Sequence, residues 1–481
     1  MASLSSLGVG SGLDAESIVT KLVAIEKQPA QVIATQNSKL ETKVSTWGKI
    51  QSAFSALQDA AKALNKSDFW TATTASSSDA SAVAVTSTSE SAAGAYSVNV
   101  SALASAQYIA SKPFAAKTSA VGQGEIRIQL GTYANDPDNA PPAATFNAKA
   151  AAQEVKISIG PEDNTLEKIR DRINSANAGI TASLVTDASG TRLIMRGSTG
   201  SENGFKVDVT EDAAAPGLSA LAYDGTKVKA ENPMARTQLA GNAVAEINGI
   251  SVSSSSNTFS NVLEGVSLTV GKVTSSPVSV NVTSDTSSIK KGIDTFVSAY
   301  NNVVSTIRVQ TLYDEASKTA GPLQGDATAR GLLSQIRSLM GSETGASSVF
   351  SRLPDIGLDI GKDGTLSTKS SKLNAALDNL PEMKKFFSNV NEADTTKNGI
   401  GQRVAELTKK LLQDDGAIDS KTDGLNSTIK RNKDKIERIE DRVTLMEARL
   451  RAQYSALDTN VSKLSGLQSY VSAQLAALNK N

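Results

Sequence analysis

Histidine and cysteine are missing altogether from the 481 residues. Without them the chain cannot build serine–histidine or cysteine–histidine catalysis, the usual zinc ligand sets, or a disulfide framework. Aromatic residues make up only 4%, with two tryptophans, so a large aromatic core or a cleft lined with sugar-stacking rings is not expected. Charge of either sign is not in excess. Lys+Arg and Asp+Glu both number 49, which removes any global pull toward nucleic acid or an anionic surface. No apolar run approaches the length of a membrane span. The opening MASLSSLGVGSGLDAE has neither a basic nor an apolar signal region, so no cleavable secretory signal is expected there.

What the chain does have is a long heptad seam from Gly424 to Asn481. Leu425, Ile429, Ile436, Ile439, Val443, Met446 and Leu450 recur at helical spacing, with Asn432 as the polar gap of the kind that fixes register. The row resumes at Tyr454, Leu457, Val461 and Leu464. Met446, Leu450 and Tyr454 make two successive steps of four, a stutter that unwinds the supercoil locally. Glu447 precedes Arg451 and Asp434 precedes Arg438 in the favourable i,i+4 order. One helix of this length runs about 80 Å and needs a partner to lie against.

The N-terminal end supplies it. Gly8, Gly10 and Gly12 lack the spacing of a dinucleotide fingerprint, and no strand precedes them. They read as a flexible leader ending at Asp14, which caps a helix with Glu16 in its first turn. Ile18, Leu22 and Ile25 form one apolar face, Pro29 is expected to interrupt or kink the helix, and a second amphipathic run from Ile33 reaches Leu64. After Trp70 the texture turns to short alternating strands, such as Ala82–Thr86 and Tyr96–Val100. A compact α/β piece follows: VKISI at 155–159, a helix capped by Thr165, the hairpin of ITASLVTD and TRLIMRG, and GFKVDV. A second β block runs from Ala243 to Val282 around the turn dipeptide Asn248–Gly249. Helical spacing returns from Ser287. The order predicts a multidomain α+β fold: long terminal helices in a coiled-coil leg, a helix-rich domain, and nested, inserted β-rich heads. The expected divisions are 1–44 with 415–481 (leg), 45–74 with 286–414 (helix-rich), 75–110 with 236–285 (β-rich head) and 111–235 (inserted α/β head).

Candidate chemistry is sparse. Asp355, Asp359 and Asp363 lie at spacings of 4 but lack the alternating ligands and the twelfth-position glutamate of a calcium loop, since Leu366 stands there. Asp414–Asp415 reads as a solvated loop. No catalytic, cofactor or metal residue is assigned, and the basic pairs Lys384–Lys385 and Lys409–Lys410 lack the interleaved aromatics of a nucleic-acid surface. Extreme seam residues are better candidates for contacts between subunits than its middle, which suits intramolecular core.

The leader LGVGSGLDAESIVTKLVAIEKQP, the piece TLEKIRDRINSANAGITASLVTDASGTRLIMRGSTG, and the stretches FVSAYNNVVSTI, GPLQGDATARGLL, LPDIGLDIGKDGTLS and RLRAQYSALDTNVSKLSGLQSYVSAQLAAL resemble the bacterial flagellar filament cap, or hook-associated protein 2, family. The likeness covers nearly the whole chain and is weakest at 110–150 and 210–240. It implies a non-enzymatic, cofactor-free structural cap at the filament tip, exported by the flagellar type III apparatus and extracellular. There it retains arriving flagellin and promotes its folding and polymerisation. Implied partners are further copies in a closed ring of about five, flagellin, hook–filament junction proteins and a cytoplasmic export chaperone, with host mucin or glycans as a further class. The residues expected to meet them are Leu4, Leu7, Leu13, Ile18, Leu22 and Ile25 at one end and Leu464, Leu467, Tyr470, Val471, Leu475 and Leu478 at the other. Rival readings are a filament or junction subunit, which predicts continuous helical ends, and a surface adhesin with glycan-binding heads.

Overall fold

Asp14 opens the first helix: its carboxylate accepts from the Ser17 amide at 3.0 Å, satisfying one of the donors that a helix start leaves free. In the computed structural model, which describes residues 14–136, 144–316 and 318–478, this helix, α1 (Ala15–Asn65), is followed by α2 (Ser67–Trp70). The inserted segment carries α3 (Leu166–Ser175). Beyond it come α4 (Thr286–Thr311), α5 (Ala327–Gly341), α6 (Ser370–Leu377), α7 (Leu380–Ser388), α8 (Ile400–Leu412) and α9 (Ala417–Leu478). The expectations placed on Leu4, Leu7, Leu13 and the leader glycines fall outside the described residues.

Two units divide the chain, one of residues up to Trp70 and from Ser287 onward, the other Thr71–Thr286. In the first, Pro29 does not interrupt α1, which runs 51 residues through it. Pro29 is exposed. The Ile25 carbonyl that loses its partner there can be met by water instead of being orphaned in a core. The C-terminal helix also begins earlier than its seam, at Ala417, and passes through Gly424.

The core of this unit gathers Trp47, Phe54, Leu57 and Leu64 of α1, Phe296 and Tyr300 of α4, Leu332 and Ile336 of α5, Phe386 and Phe387 of α7, and Val404 of α8. The Tyr300 hydroxyl donates to the Gly364 carbonyl at 2.8 Å, and burial pushes its pKa up to about 12. The strands Leu358–Ile360 and Leu366–Thr368 form the hairpin around Gly361–Gly364. The three aspartates there do separate work. The Asp355 carboxylate accepts from the Ser351 and Arg352 amides, Asp359 pairs with Lys369, and Asp363 holds the Thr365 amide and hydroxyl.

The second unit contains a five-stranded antiparallel sheet in the order Thr73–Ser77, Val278–Ser284, Gly94–Ala102, Ala243–Ile247, Ile250–Ser254. Its inner residues, including Val98, Val100, Val280 and Val282, pack with Val83, Phe259 and Leu268 of a three-stranded sheet. Asn248 and Gly249 form the two-residue turn between paired Ile247 and Ile250. Both have positive φ, 50° and 83°, the left-handed geometry that suits asparagine and glycine. A separate cluster packs Leu166, Ile169 and Ile173 of α3 with residues of two four-stranded sheets, among them Ile126, Ile128, Leu193 and Phe205.

Thr165 does not cap α3 with its side chain, and its hydroxyl is buried without a partner. The first helical amides are already taken: Leu166 donates to Ser119 and Glu167 to Lys117 through backbone carbonyls. Asn174 brackets the outer edge of strand Ile180–Asp187, donating to the Ala182 carbonyl and accepting from its amide. That closes part of a sheet edge to further pairing.

Candidate functional site: an apolar helix pair

The structure places the seam of α9 against α1 in antiparallel order, and three ion pairs set the level. Arg451 meets Glu16, Arg442 meets Glu26 and Lys433 meets Glu41, so the paired numbers sum to 467 and 468 at the first two and to 474 at the third. All three cations lie on α9 and all three carboxylates on α1, so a slipped register breaks every pair. Each pair is exposed and weak by itself, and the discrimination comes from the set.

Inside the seam, Val19 and Val23 bury against Val443, with Ile439, Met446, Leu450 and Tyr454 packed on them. Ile429 is buried, Ile436 is half-buried, and Leu425 packs on the core of the helix-rich part. Asn432 finds a partner of its own kind: its amide donates at 2.9 Å to Asn37, which is only 5% exposed. The pair is the seam's one polar layer of matched side chains, and it offsets its burial only while the two helices keep this level. Asn432→Ala leaves Asn37 buried without that bond and is expected to destabilise the helix pair by about 1–3 kcal/mol. Replacing both by leucine should restore stability while loosening register. Hydrogen exchange along α9 measures both effects.

The sequence picture of α1 needs one correction. Its buried face is Ala15, Val19, Val23 and Ala30, whereas Ile18, Leu22 and Ile25 point away from α9 and are 37%, 39% and 57% exposed. Two antiparallel helices approach closely where side chains are small or β-branched, so the larger residues one position earlier are turned outward. On α9, Leu464, Leu467, Tyr470, Val471 and Leu475 are exposed as well, and the Leu478 side chain lies outside the description. Since Arg451 is already level with Glu16, this stretch lies beyond the described start of α1. Of the expected intrahelical pairs, Glu447 binds Arg451 at 2.9 Å, but Arg438 donates to the Asp434 carbonyl oxygen and not to its carboxylate.

Arg451 forks onto both carboxylate oxygens of Glu16 at 2.7 Å. Those bonds hold Glu16 below the usual glutamate range, and the two carboxylates of Glu16 and Glu447 raise Arg451 further. A lowered folded-state value means the pairing contributes fully above the ordinary glutamate range and is lost as pH falls through the lowered one. Acidification below about pH 4 should therefore fray the start of α1. Amide protection at residues 18–23, after correction for the intrinsic pH dependence of exchange, should fall there, and Glu16→Gln should show the low protection at every pH.

Sequence reasoning missed Asn37 as the mate of Asn432 and the carboxylate row of Glu16, Glu26 and Glu41. An antiparallel alignment with a sum near 468 would have found Glu16, Glu26 and Asn37, but not Glu41, whose pair with Lys433 sums to 474. Among the described residues no group of three or more acidic side chains is placed to hold a metal ion, and no helix is long and apolar enough to cross a membrane.

A long helix pair with register devices inside and no catalytic or metal constellation placed on it among the described residues fits a class: structural proteins built on long paired helices. The relatives give the particular family. Patterns for the N-terminus and C-terminus of flagellar hook-associated protein 2 match residues 11–107 and 240–466. The chain is 34% identical to flagellar hook-associated protein 2 of Salmonella typhimurium over 492 residues, covering 100% of both chains. It is 32% identical to the Escherichia coli K12 protein of the same name, covering 98% of each. The crystal structure of the flagellar cap protein FliD D1-D2-D3 domains from Escherichia coli superposes with a TM-score of 0.61 at 28% identity, over 79% of this chain and 99% of that one. The chain belongs to the flagellar hook-associated protein 2 family, the flagellar filament caps.

Proposed function

We propose that the chain caps the distal end of a growing flagellar filament as a closed ring of its own copies, keeps exported flagellin from escaping, and promotes its folding into the next vacant site. The observation that carries this reading is the apolar surface left on the helix pair, Leu464 to Leu475 on α9 with Ile18, Leu22 and Ile25 on α1. Side chains of this kind, exposed in a row and not scattered, serve contacts with other chains. The ring needs a heterologous interface whose rotation closes, and the family reading favours about five copies. Junction proteins and an export chaperone are the other partners of the same rows. The extracellular tip is the proposed location, and no catalytic step is assigned.

The four-domain division is part of this proposal: 1–44 with 415–481, 45–74 with 286–414, 75–110 with 236–285, and 111–235. It is supported by four separate apolar clusters, centred on Val443, Phe296, Val280 and Ile169. Mass measurement of the intact assembly tests the ring. A closed oligomer of four to six copies is expected. A strict monomer at high concentration, with filament ends present, overturns it.

A further inference from the structure

The outward row of α1 is more regular than a set of leftover hydrophobics. Ile18, Leu22, Ile25 and Val32 each stand one residue before a seam position, at Val19, Val23, Glu26 and Ile33. On α9 the residues one before the seam positions Ile436, Ile439, Val443, Met446 and Leu450 are Lys435, Arg438, Arg442, Leu445 and Arg449. One residue is a turn of about 100°. In two right-handed helices running antiparallel, a step back along either chain swings toward the same side of the pair. The ion pairs fix that geometry from the other side: Glu16 with Arg451 and Glu41 with Lys433 stand one residue after seam positions and meet on the opposite flank.

One flank of the pair therefore carries an apolar row on α1 and a cationic row on α9, side by side. By the sum of 468 that Glu26 and Arg442 set, Ile18 is level with residue 450 and Val32 with 436, so the rows overlap for their whole length of about 21 Å, or four turns. On the α9 side of this flank lies a groove of about 630 Å³, lined by Arg442, Val443, Leu445, Met446 and Arg449, with Glu26 reaching in from α1. Leu445, 74% exposed in the middle of the cationic row, gives the far wall one apolar anchor.

We infer that this flank is a docking groove for an acidic amphipathic helix of a partner protein. The inference rests on reading the outward residues of α1 as contact residues, and it names the chemistry of what they meet. An apolar stripe on the incoming helix seats between Leu22, Ile25 and Leu445, and carboxylates on its edge face Lys435, Arg438 and Arg449, since Arg442 is already paired with Glu26. The two rows run side by side along the helix pair for about four turns, which suits a helix of that length better than a lipid surface. A second copy of this chain supplies no match, since no described helix carries an uninterrupted acidic row.

The probe is a synthetic helix of about four turns with leucine at its a and d positions and glutamate on both flanks, set against its lysine counterpart and against phosphatidylglycerol vesicles. Full-length protein should bind the glutamate helix about tenfold or more tighter than the lysine helix, with an affinity that falls as salt rises. Reversing the wall with Lys435→Glu, Arg438→Glu and Arg449→Glu, which leaves the Arg442–Glu26 pair in place, should invert the preference. The milder glutamine triple should only remove it, and Leu22→Asp with Ile25→Asp should abolish binding of both helices. Equal binding of the two helices, or capture of vesicles with both helices ignored, overturns the inference. So does loss of the intact ring mass in the charge-reversed protein, because the flank then belongs between copies. Helix binding by a protein that forms no ring leaves the groove standing and the ring reading refuted.

Discussion

Trp70→Ala should lower the stability of the helix-rich core by about 3–5 kcal/mol. Trp70 is 3% exposed and lies stacked on Phe387 with ring centroids 5.5 Å apart, while Phe69 meets its edge at 5.1 Å. Phe387 in turn touches Phe386 and Phe296, so one ring anchors a chain of aromatics that reaches α4. The indole N–H also donates to the Leu64 carbonyl at 2.7 Å, tying α2 back onto the end of α1. Alanine leaves a cavity among stiff rings that cannot close in, and a carbonyl without its donor. Trp70→Phe keeps a ring in the stack but loses the bond and the volume of the second ring, so a smaller loss of about 1–3 kcal/mol is expected. The measurement is direct because the chain has only two tryptophans. The remaining one, Trp47, is fully buried in the same core, and its fluorescence follows unfolding of that core alone. An unchanged denaturation midpoint would show that the aromatic chain does not hold the unit together.

Much of this fold was legible because period and punctuation agreed. The α9 seam, the Asn248–Gly249 hairpin and the α3 helix all follow from spacing, and each is where the pattern put it. The choice between the two apolar rows of α1 was not legible. Ile18, Leu22 and Ile25 are more hydrophobic than Ala15, Val19 and Ala30, so ranking by hydrophobicity selects the wrong face. Close packing decides it, and that depends on side-chain shape across two helices more than 400 residues apart in sequence (Glu16 with Arg451). Pro29 misled for a related reason: a proline costs a helix most where water cannot reach the freed carbonyl, and exposure is a tertiary property. Other misses left a usable signal. α7 begins at Leu380 with Pro381 in its first turn, the position where proline starts helices instead of ending them. Strands such as Thr73–Ser77 are too polar to alternate, and only their pairing with Val278–Ser284 makes them visible.

The largest functional effect should come from Leu467→Asp combined with Leu475→Asp. These side chains are 65% and 58% exposed, and Arg451 is already level with the first turn of α1, so neither packs in the seam that holds the pair. Exposed substitutions of this sort change stability by about ±0.5 kcal/mol, and the thermal transition of either unit should stay where it is. In an apolar contact the same aspartates must be desolvated without a partner, at a cost of about 2 kcal/mol or more each if these residues are central to it. Capping should then fail while folding survives: the doubly substituted protein should no longer hold the tip of a growing filament, and added flagellin should leave the end unpolymerised. Swapping the pair for Ser465→Asp and Ser469→Asp puts the same charge on the same helix and should preserve capping. If both double variants cap equally well, the C-terminal row is a solvated surface and the contact lies elsewhere. If both fail, charge on the helix is the cause, and the apolar row has no specific role.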